Sequence, residues 1–291
     1  MEKSKCISIV IPAYNEEGSI SQIIEQIDLV MKSRDYVYEV IVVDDGSTDR
    51  TAEIAKTKSV STIQHPYNRG YGASLKTGIR NSRGEIVLMI DADSTYPVEK
   101  IPLLLSYMDE YDMVVGARTG QNVQIQLIRR PAKWILSKLA NYLSGTRIPD
   151  LNSGLRAFKK EVALRFFNIL PDQFSFTTTL TLAMTCSGYA IKYEPISYSR
   201  RVGKSKISPI RDTFNFVSLI IRTVMYFNPL KIFIPISLLL AGLGMVTLCY
   251  DVFAIHNIGD KTVLLLSMGL LIGAIGLLSD LIVKKMDQAG K

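Results

Sequence analysis

The chain has 291 residues, enough for one large domain or two small ones, and a formal net charge of +7. Its three cysteines, Cys6, Cys186 and Cys249, lie far apart without metal-ligand spacing. This excludes a cysteine metal cluster and indicates ordinary buried thiols in a reducing compartment. No long apolar segment with a cleavage site follows Met1, so we expect no secretory signal.

The first 116 residues alternate apolar strand patterns with amphipathic helix patterns. Ser19 precedes the first helix pattern and is a predicted N-cap, whereas Ser47 or Thr48 is predicted to cap the second helix. Strands that alternate with helices of about ten residues predict a parallel, doubly wound α/β sheet. The predicted strands cover 6–11, 40–43, 60–64, 85–90 and 112–115, and the helices cover 20–27, 48–56, 70–81 and 97–109.

Acidic turns follow the second and fourth predicted strands. Asp44 and Asp45 end one strand, and Asp91 and Asp93 flank the small residue Ala92 at the end of the other. Open α/β sheets bind ligands at the carboxyl ends of their strands. Two carboxylates around one small residue suit a hard divalent cation, so we predict that Asp91 and Asp93 hold Mg²⁺ or Mn²⁺, which holds a diphosphate.

The same sheet edge supplies the predicted nucleotide-binding residues. Asp45 can accept a hydrogen bond from a base or a ribose hydroxyl, and residue types alone do not separate uracil from guanine. The Gly-Tyr-Gly sequence at 70–72 lacks the third glycine of a dinucleotide fingerprint, so its glycines are expected to allow close packing. The predicted donor site comprises Pro12, Tyr14, Glu16, Asp44, Asp45, Asp91 and Ala92.

Between residue 116 and the first long uncharged stretch, lysine and arginine outnumber aspartate and glutamate. Residues 125–142 and 208–226 form basic amphipathic helix patterns, which suit either a membrane surface or packing against the sheet. The basic stretch 200–206 is either an anion clamp or a positively charged flank of a membrane segment. Asp150 is predicted to orient the acceptor or the sugar. The candidates for holding an acceptor phosphate are Arg118, Arg130, Arg156, Arg201 and Lys206.

Two uncharged stretches, 232–250 and 262–279, predict a membrane hairpin with spans at about 230–253 and 261–283. Lysine and arginine flank the hairpin on its outer ends, which predicts that the N-terminal region and the C-terminus are cytoplasmic. The predicted divisions are a catalytic domain at 1–207, a juxtamembrane helix at 208–228, the hairpin at 229–285 and a tail at 286–291.

These motifs together resemble glycosyltransferase family 2, in particular its polyprenyl-phosphate sugar synthases. The matching segments are IPAYNE at 11–16, VDDGS at 43–47, DAD at 91–93, GAR at 116–118, DLNSGLR at 150–156 and RVGKSK at 201–206. The resemblance implies a GT-A (Rossmann-like) fold, a divalent metal, a nucleotide-sugar donor, a polyprenyl or dolichyl phosphate acceptor and inversion at the anomeric carbon. Many such synthases carry a metal-ligating Gln where this chain has Thr95, so water or the Thr95 hydroxyl is the expected substitute.

The predicted function is therefore sugar transfer to a polyprenyl phosphate, with Asp91, Asp93, Asp150, Arg118 and Arg201 as the catalytic set. A UDP-glucose-like donor is favoured because of the two-span architecture, with GDP-mannose and UDP-N-acetylglucosamine as alternatives. The membrane and a second copy of the chain, through the spans, are predicted partners, and nucleic acid is not. A processive polysaccharide synthase would carry more spans and a Gln-x-x-Arg-Trp motif, and a non-catalytic nucleotide-binding scaffold would not need Asp91 and Asp93.

Overall fold

The computed structural model describes residues 6–34, 36–119, 130–173, 175–198 and 209–289. Its centre is a seven-stranded sheet with the strand order β3-β2-β1-β4-β6-β5-β7. The strands are β1 (Ile7–Ala13), β2 (Tyr38–Asp44), β3 (Ser61–Gln64), β4 (Ile86–Met89), β5 (Met113–Ala117), β6 (Arg156–Lys159) and β7 (Ile191–Pro195).

The five predicted strands run parallel to one another, and the exception in the sheet is β6, which the sequence pattern did not predict. Strands β1 to β4 pair in parallel, and β7 runs parallel to β5, but β6 is antiparallel to both β4 and β5. The loop at 150–155 lies at the carboxyl edge of β4 and β5, so a strand that begins there must run away from that edge. Strand β6 therefore brings this loop next to the ends of β4 and β5.

Helices cover both faces of the sheet, because its central strands are apolar on both sides. Ile9 and Ile11 of β1 face one core layer, whereas Val10 faces the other. The first layer includes α1 and α4, and the second includes α3, α6 and α7. The helices of this part of the chain are α1 (Ile20–Lys32), α2 (Thr51–Lys56), α3 (Tyr71–Asn81), α4 (Ile101–Ser106), α5 (Arg130–Ser144), α6 (Lys160–Arg165) and α7 (Phe176–Cys186).

One predicted cap bond and one predicted helix start differ from the structure. Helix α1 begins directly after Ser19, but the Ser19 hydroxyl donates to Glu16 and makes no cap bond. Helix α2 begins at Thr51, later than predicted, because the Asp49 carboxylate accepts hydrogen bonds from the Thr51 backbone N–H and hydroxyl at 3.0 and 2.5 Å. The acidic turn after β2 thus ends in a side chain that fixes the helix start.

Three helices complete the chain: α8 (Pro209–Phe227), α9 (Leu230–Tyr250) and α10 (Asp260–Ala289). Helix α8 packs with α5 and α7 around a small apolar cluster that includes Leu143, Leu182 and Ile220. Helix α5 thus packs against neighbouring helices; residues 125–129 of its predicted span lie outside the described residues.

Helices α9 and α10 form an apolar hairpin. The segments Leu230–Ile255 and Asp260–Lys285 have mean hydropathies of 2.3 and 2.2, and only 6% and 17% of their most apolar windows are buried. Both are long and apolar enough to cross a membrane. The helices meet at small residues, where the Ser237 hydroxyl donates to the Gly269 carbonyl at 2.7 Å. At the turn, Asp251 accepts hydrogen bonds from the Gly259 N–H and the Thr262 hydroxyl at 2.8 and 2.7 Å.

Candidate active site at the carboxyl edge of the sheet

The loops after β1 and β2 form one hydrogen-bonded unit. Asn15, with a φ of 56°, donates its backbone N–H to the Ser47 hydroxyl and accepts from the Thr48 N–H through its side chain, at 2.9 and 2.8 Å. The Glu16 N–H donates to the Thr51 hydroxyl at 2.8 Å. Among the predicted donor residues of β1 and its loop, Pro12 is buried, and Tyr14 and Glu16 are half-buried beside this unit.

Asp44 ends β2 with one carboxylate oxygen that lacks a partner. Its side chain is fully buried, and its Oδ2 accepts a hydrogen bond from the Ser47 N–H at 3.3 Å. Among the described residues, no group donates to its Oδ1. A buried carboxylate oxygen without a donor is energetically costly, so this atom suits an N–H or O–H of a ligand.

Asp45 makes its hydrogen bonds to other groups of the protein. Its carboxylate contacts the His65 Nδ1 atom at 2.7 Å and accepts hydrogen bonds from the backbone N–H groups of Arg69 and Gly70 at 3.0 and 2.8 Å. The other ring nitrogen of His65 lies 2.9 Å from the Thr77 hydroxyl. Asp45 thus connects β2 to the start of α3. This geometry favours Asp44, more than Asp45, for the predicted contact with the donor.

Asp91 and Asp93 lie in the turn after β4, and hydrogen bonds hold each carboxylate. The Tyr71 hydroxyl donates to Asp91 Oδ1 at 2.7 Å. The backbone N–H and the hydroxyl of Thr95 donate to Asp93 Oδ1 at 3.2 and 2.6 Å. Thr95 is only 2% exposed, and its hydroxyl is directed at Asp93, so whether it or water takes the place of the ligating Gln stays a prediction.

The loop before β6 presses against Asp91. A Cβ atom added to Gly154 would lie 2.2 Å from Asp91 Oδ2, so the backbone of this loop contacts the carboxylate directly. The Gly154 N–H donates to the Tyr96 hydroxyl at 2.6 Å, which fixes the loop in place. The spacing between the Asp-x-Asp turn and the loop at 150–155 therefore depends on a residue without a side chain.

The residues of the Asp-x-Asp turn fit a divalent cation. Two carboxylates in one turn provide the oxygen ligands that Mg²⁺ and Mn²⁺ prefer. Within the described ranges, no group of three or more His, Cys, Asp or Glu side chains is arranged to hold a metal ion. A cation held by Asp91 and Asp93 would therefore take its remaining ligands from a diphosphate and water, as Mg²⁺ commonly does at phosphate sites.

Arg118, which is half-buried, and Asp150, which is buried, form an ion pair beside this turn. Arg118 Nε donates to Asp150 Oδ2 at 2.7 Å, and Arg118 Nη2 donates to Asp150 Oδ1 at 2.8 Å. Burial alone would raise the pKa of Asp150, but the hydrogen bonds and positive charge of Arg118 outweigh it and hold this pKa below its usual value. Asp150 thus orients Arg118 and is a poor general base. The Arg118 guanidinium also lies 5.3 Å from the centre of the Tyr198 ring.

Arg156 lies in the core, and its predicted contact with the acceptor phosphate is wrong. The side chain is fully buried, and burial lowers its pKa. Its five N–H groups are directed at protein acceptors: the carbonyls of Leu151, Ser153 and Thr177 and the Thr181 hydroxyl. Arg156 therefore ties the loop at 150–155 to α7.

Three of the predicted phosphate-binding residues have no described side chain. Arg130 is the first residue of α5, and Arg201 and Lys206 lie outside the described residues. Their roles stay predictions. Conversely, sequence patterns did not identify the contacts that His65, Tyr71 and Gly154 make at the site, because each acts on a residue at least 20 positions away.

Comparison with known families confirms the resemblance of both parts of the chain. Residues 8–167 match the family described as Glycosyl transferase family 2, and residues 228–284 match the GtrB C-terminal hairpin. Together with the two apolar helices, the hairpin match supports association of the chain with a membrane.

The curated relatives include two proteins named for sugar transfer involving lipid phosphates. The undecaprenyl-phosphate 4-deoxy-4-formamido-L-arabinose transferase of Pseudomonas fluorescens (strain Pf0-1) is 30% identical over 257 residues, which cover 82% of this chain and 71% of the relative. The dolichyl-phosphate hexose transferase of Haloferax volcanii is 31% identical over 206 residues, covering 70% of this chain and 87% of the relative.

Solved structures share the fold. Glucosyl-3-phosphoglycerate synthase from Mycobacterium tuberculosis, in complex with Mn²⁺, UDP-glucose and phosphoglyceric acid, superposes with a TM-score of 0.60 at 21% identity, covering 76% of this chain and 80% of that one. The predicted GT-A architecture is thus confirmed. The chain belongs to glycosyltransferase family 2, and it is a glycosyltransferase with a GtrB-type C-terminal hairpin.

Proposed function

We propose that this enzyme transfers a sugar from a nucleoside-diphosphate donor to the phosphate of a polyprenyl or dolichyl phosphate, with inversion at the anomeric carbon. One observation carries the proposal: Asp91 of the two-carboxylate turn lies against Gly154, in the same loop that carries Asp150, the partner of Arg118, and the chain ends in an apolar hairpin. The names of the curated relatives, which refer to undecaprenyl and dolichyl phosphates, support the acceptor.

The donor nucleotide would bind over the ends of β1, β2 and β4. The buried Oδ1 of Asp44 would accept a hydrogen bond from an N–H of the base. Tyr14 and Glu16 lie at the same edge and would line the pocket. We favour a UDP-glucose-like donor on the resemblance of the two-span architecture alone, and keep GDP-mannose and UDP-N-acetylglucosamine as comparison substrates.

Asp91 and Asp93 would hold Mg²⁺ or Mn²⁺ against the donor diphosphate. When bound, such a cation neutralises the negative charge that develops on the departing nucleoside diphosphate. Glucosyl-3-phosphoglycerate synthase has been crystallised with Mn²⁺ in one complex and with Mg²⁺ in another, which supports this assignment. Ala92, buried between the two aspartates, keeps the turn close to the sheet.

The acceptor phosphate would lie on the Arg118 side of the site. A phosphate monoester has a second pKa of about 6, so it is largely ionised at neutral pH and needs no strong base. Catalysis then depends on positioning and on charge stabilisation. Asp150 holds Arg118 in place for this purpose, and Arg130, Arg201 and Lys206 are the further proposed contacts.

The proposed membrane arrangement follows from charge. We infer that residues 1–207 form the catalytic domain, 208–228 a juxtamembrane helix, 229–285 the hairpin and 286–291 a tail. Lysine and arginine lie mostly before the first span and after the second, so the domain and the tail would be cytoplasmic. The hairpin would keep the site at the interface, where a lipid phosphate presents its headgroup, and it would allow self-association.

Purified enzyme in lipid nanodiscs tests the proposal. Radiolabelled UDP-glucose, GDP-mannose and UDP-N-acetylglucosamine are each supplied with undecaprenyl phosphate and Mn²⁺, and the lipid fraction is analysed. We expect a labelled, acid-labile lipid from one donor, and none with Asp93→Asn or with excess chelator. No lipid product from any donor, or full turnover by Asp93→Asn in chelator, would contradict the proposal.

A further inference from the structure

Each carboxylate of the Asp-x-Asp turn accepts a hydrogen bond from a hydroxyl group. The Tyr71 hydroxyl donates to Asp91 at 2.7 Å, and the Thr95 hydroxyl donates to Asp93 at 2.6 Å. Both donors contact Oδ1 of their aspartate. The two hydroxyls come from different parts of the fold, since Tyr71 begins α3 and Thr95 lies in the turn itself.

We propose that Tyr71 and Thr95 are positioning residues that hold Asp91 and Asp93 in the orientation that binds the divalent cation. This inference rests on the proposed metal-dependent function and assigns two residues to it. A carboxylate has two oxygens with about four acceptor sites, so a hydrogen bond to one oxygen is compatible with metal binding through the same carboxylate.

The backbone around Tyr71 fixes its hydroxyl. Gly70 has a φ of 108°, and a Cβ atom there would lie 2.5 Å from the Asp172 carbonyl oxygen. A Cβ atom at Gly72 would lie 2.2 Å from the Pro171 carbonyl oxygen. The start of α3 therefore packs directly against the 171–172 backbone, so Tyr71 is anchored on both sides.

Asp91 is confined from two directions. Tyr71 donates to one carboxylate oxygen, and the Gly154 backbone lies against the other. A side chain held in this way loses little conformational freedom when it binds a cation. Asp93 is held differently, because the N–H and the hydroxyl of Thr95 both donate to one oxygen within a tight turn.

Loss of such supporting hydrogen bonds weakens metal sites measurably. Hydrogen-bond partners of ligating side chains typically contribute about 10- to 100-fold to metal affinity. Removal of the Tyr71 hydroxyl should therefore weaken Mn²⁺ binding by at least about tenfold, although Tyr71 itself does not touch the ion. Removal of the Thr95 hydroxyl should have a similar effect.

Metal binding to the full-length protein in nanodiscs gives a direct test. Mn²⁺ is titrated in the presence of saturating UDP, and free Mn²⁺ is followed by electron paramagnetic resonance. The variants are Tyr71→Phe, Thr95→Val and Thr95→Ser, of which the last retains a hydroxyl. Tyr38→Phe is the matched control, because the Tyr38 hydroxyl donates to Asp28 at 2.5 Å on α1. Thermal unfolding without metal reports on folding.

We expect Tyr71→Phe and Thr95→Val to bind Mn²⁺ about tenfold more weakly or worse, whereas Thr95→Ser and Tyr38→Phe resemble the wild type. The inference is wrong if Tyr71→Phe and Thr95→Val, folded as judged by thermal unfolding, bind Mn²⁺ as tightly as the wild type. It is also wrong if Thr95→Ser loses as much affinity as Thr95→Val. Failure of the wild type itself to bind Mn²⁺ would instead contradict the proposed metal-dependent function.

Discussion

The guanidinium of Arg118 and the carboxylate of Asp150 face each other as a two-pronged pair, with N–O distances of 2.7 and 2.8 Å. The Arg118 backbone N–H also donates to Asp150, at 3.0 Å. The pair joins the residue after β5 to the loop before β6, close to the turn that carries Asp91. An arginine held in this way has already lost much of its side-chain freedom before any phosphate arrives, which favours binding.

The pair should make stability depend on pH. The pKa of Asp150 is lowered in the folded protein, so the pair contributes stability above the unfolded-state pKa of about 3.9 and loses it as the pH falls through the lowered value. The stability gap between the wild type and Asp150→Asn should therefore be largest near neutral pH and shrink below about pH 4.

Thermal unfolding of both proteins from pH 7 to pH 3 measures this gap. Asp172→Asn is the control, because the Asp172 carboxylate that pairs with Lys76 is 59% exposed and water screens its charge. A gap between wild type and Asp150→Asn that widens on acidification would contradict the assignment.

Replacement of Arg156 should destabilise the protein. Arg156→Met keeps much of the volume but removes the Arg156 donors from the carbonyls of Leu151 and Ser153, whereas the Thr177 carbonyl keeps the Thr181 hydroxyl. Each unsatisfied buried group costs about 1–3 kcal/mol, so we expect the two carbonyls to cost about 2 kcal/mol or more. Arg165→Met, at an exposed position of α6, is the control. Equal unfolding midpoints for the two variants would show that the buried contacts of Arg156 are not stabilising.

We expect Arg201 to bind the phosphate of the lipid acceptor. Arg201 lies in the densest basic stretch of the sequence, ahead of the proposed spans. Charge-assisted contacts to phosphate contribute about 1.5–3 kcal/mol each, so Arg201→Ala should reduce transfer by at least about tenfold and affect nucleotide binding less. Arg201→Lys should not fully restore transfer, since lysine lacks the bidentate fork. If the kinetics for the lipid acceptor are unchanged in Arg201→Ala, this basic stretch does not bind the acceptor and serves only as the positively charged flank of the first span.

The orientation of the hairpin can be tested by labelling. With Cys249→Ser as background, a cysteine in place of Asn257, at the turn between the two spans, should react with an impermeant reagent added from outside intact cells. The expectation follows from the distribution of lysine and arginine around the spans. Labelling that appears only after the membrane is opened would reverse the topology.

The sequence predicted the parts of the fold that carry continuous apolar runs. Strands β1, β2 and β4 are such runs, and the acidic residues that follow them lie at the predicted edge. Strand β6 was missed because its sequence, RAFK, is short and half polar, and its direction depends on where the loop before it lies. A burial pattern read along one segment cannot show that another segment will be inserted beside it.

The residues of the site also divide into those whose role could be predicted from the sequence and those whose role could not. Asp91 and Asp93 were predictable because their chemistry is local to one turn. The structural role of Arg156 was not predictable, because its hydrogen-bond partners include Thr177 and Thr181, which are more than 20 residues away in the sequence. The local sequence around an arginine next to a polar loop does not show whether its side chain faces a ligand or the core.

The Asp251 contacts at the end of α9 bear on how the hairpin enters a bilayer. Both partners of this carboxylate, Gly259 and Thr262, follow it in the chain by 8 and 11 residues. During synthesis, the first apolar helix is therefore complete before the carboxylate at its end can accept these two hydrogen bonds. Insertion of α9 alone would expose that charge, so the two helices should partition into the lipid together, as one folded unit, once the first turn of α10 has emerged.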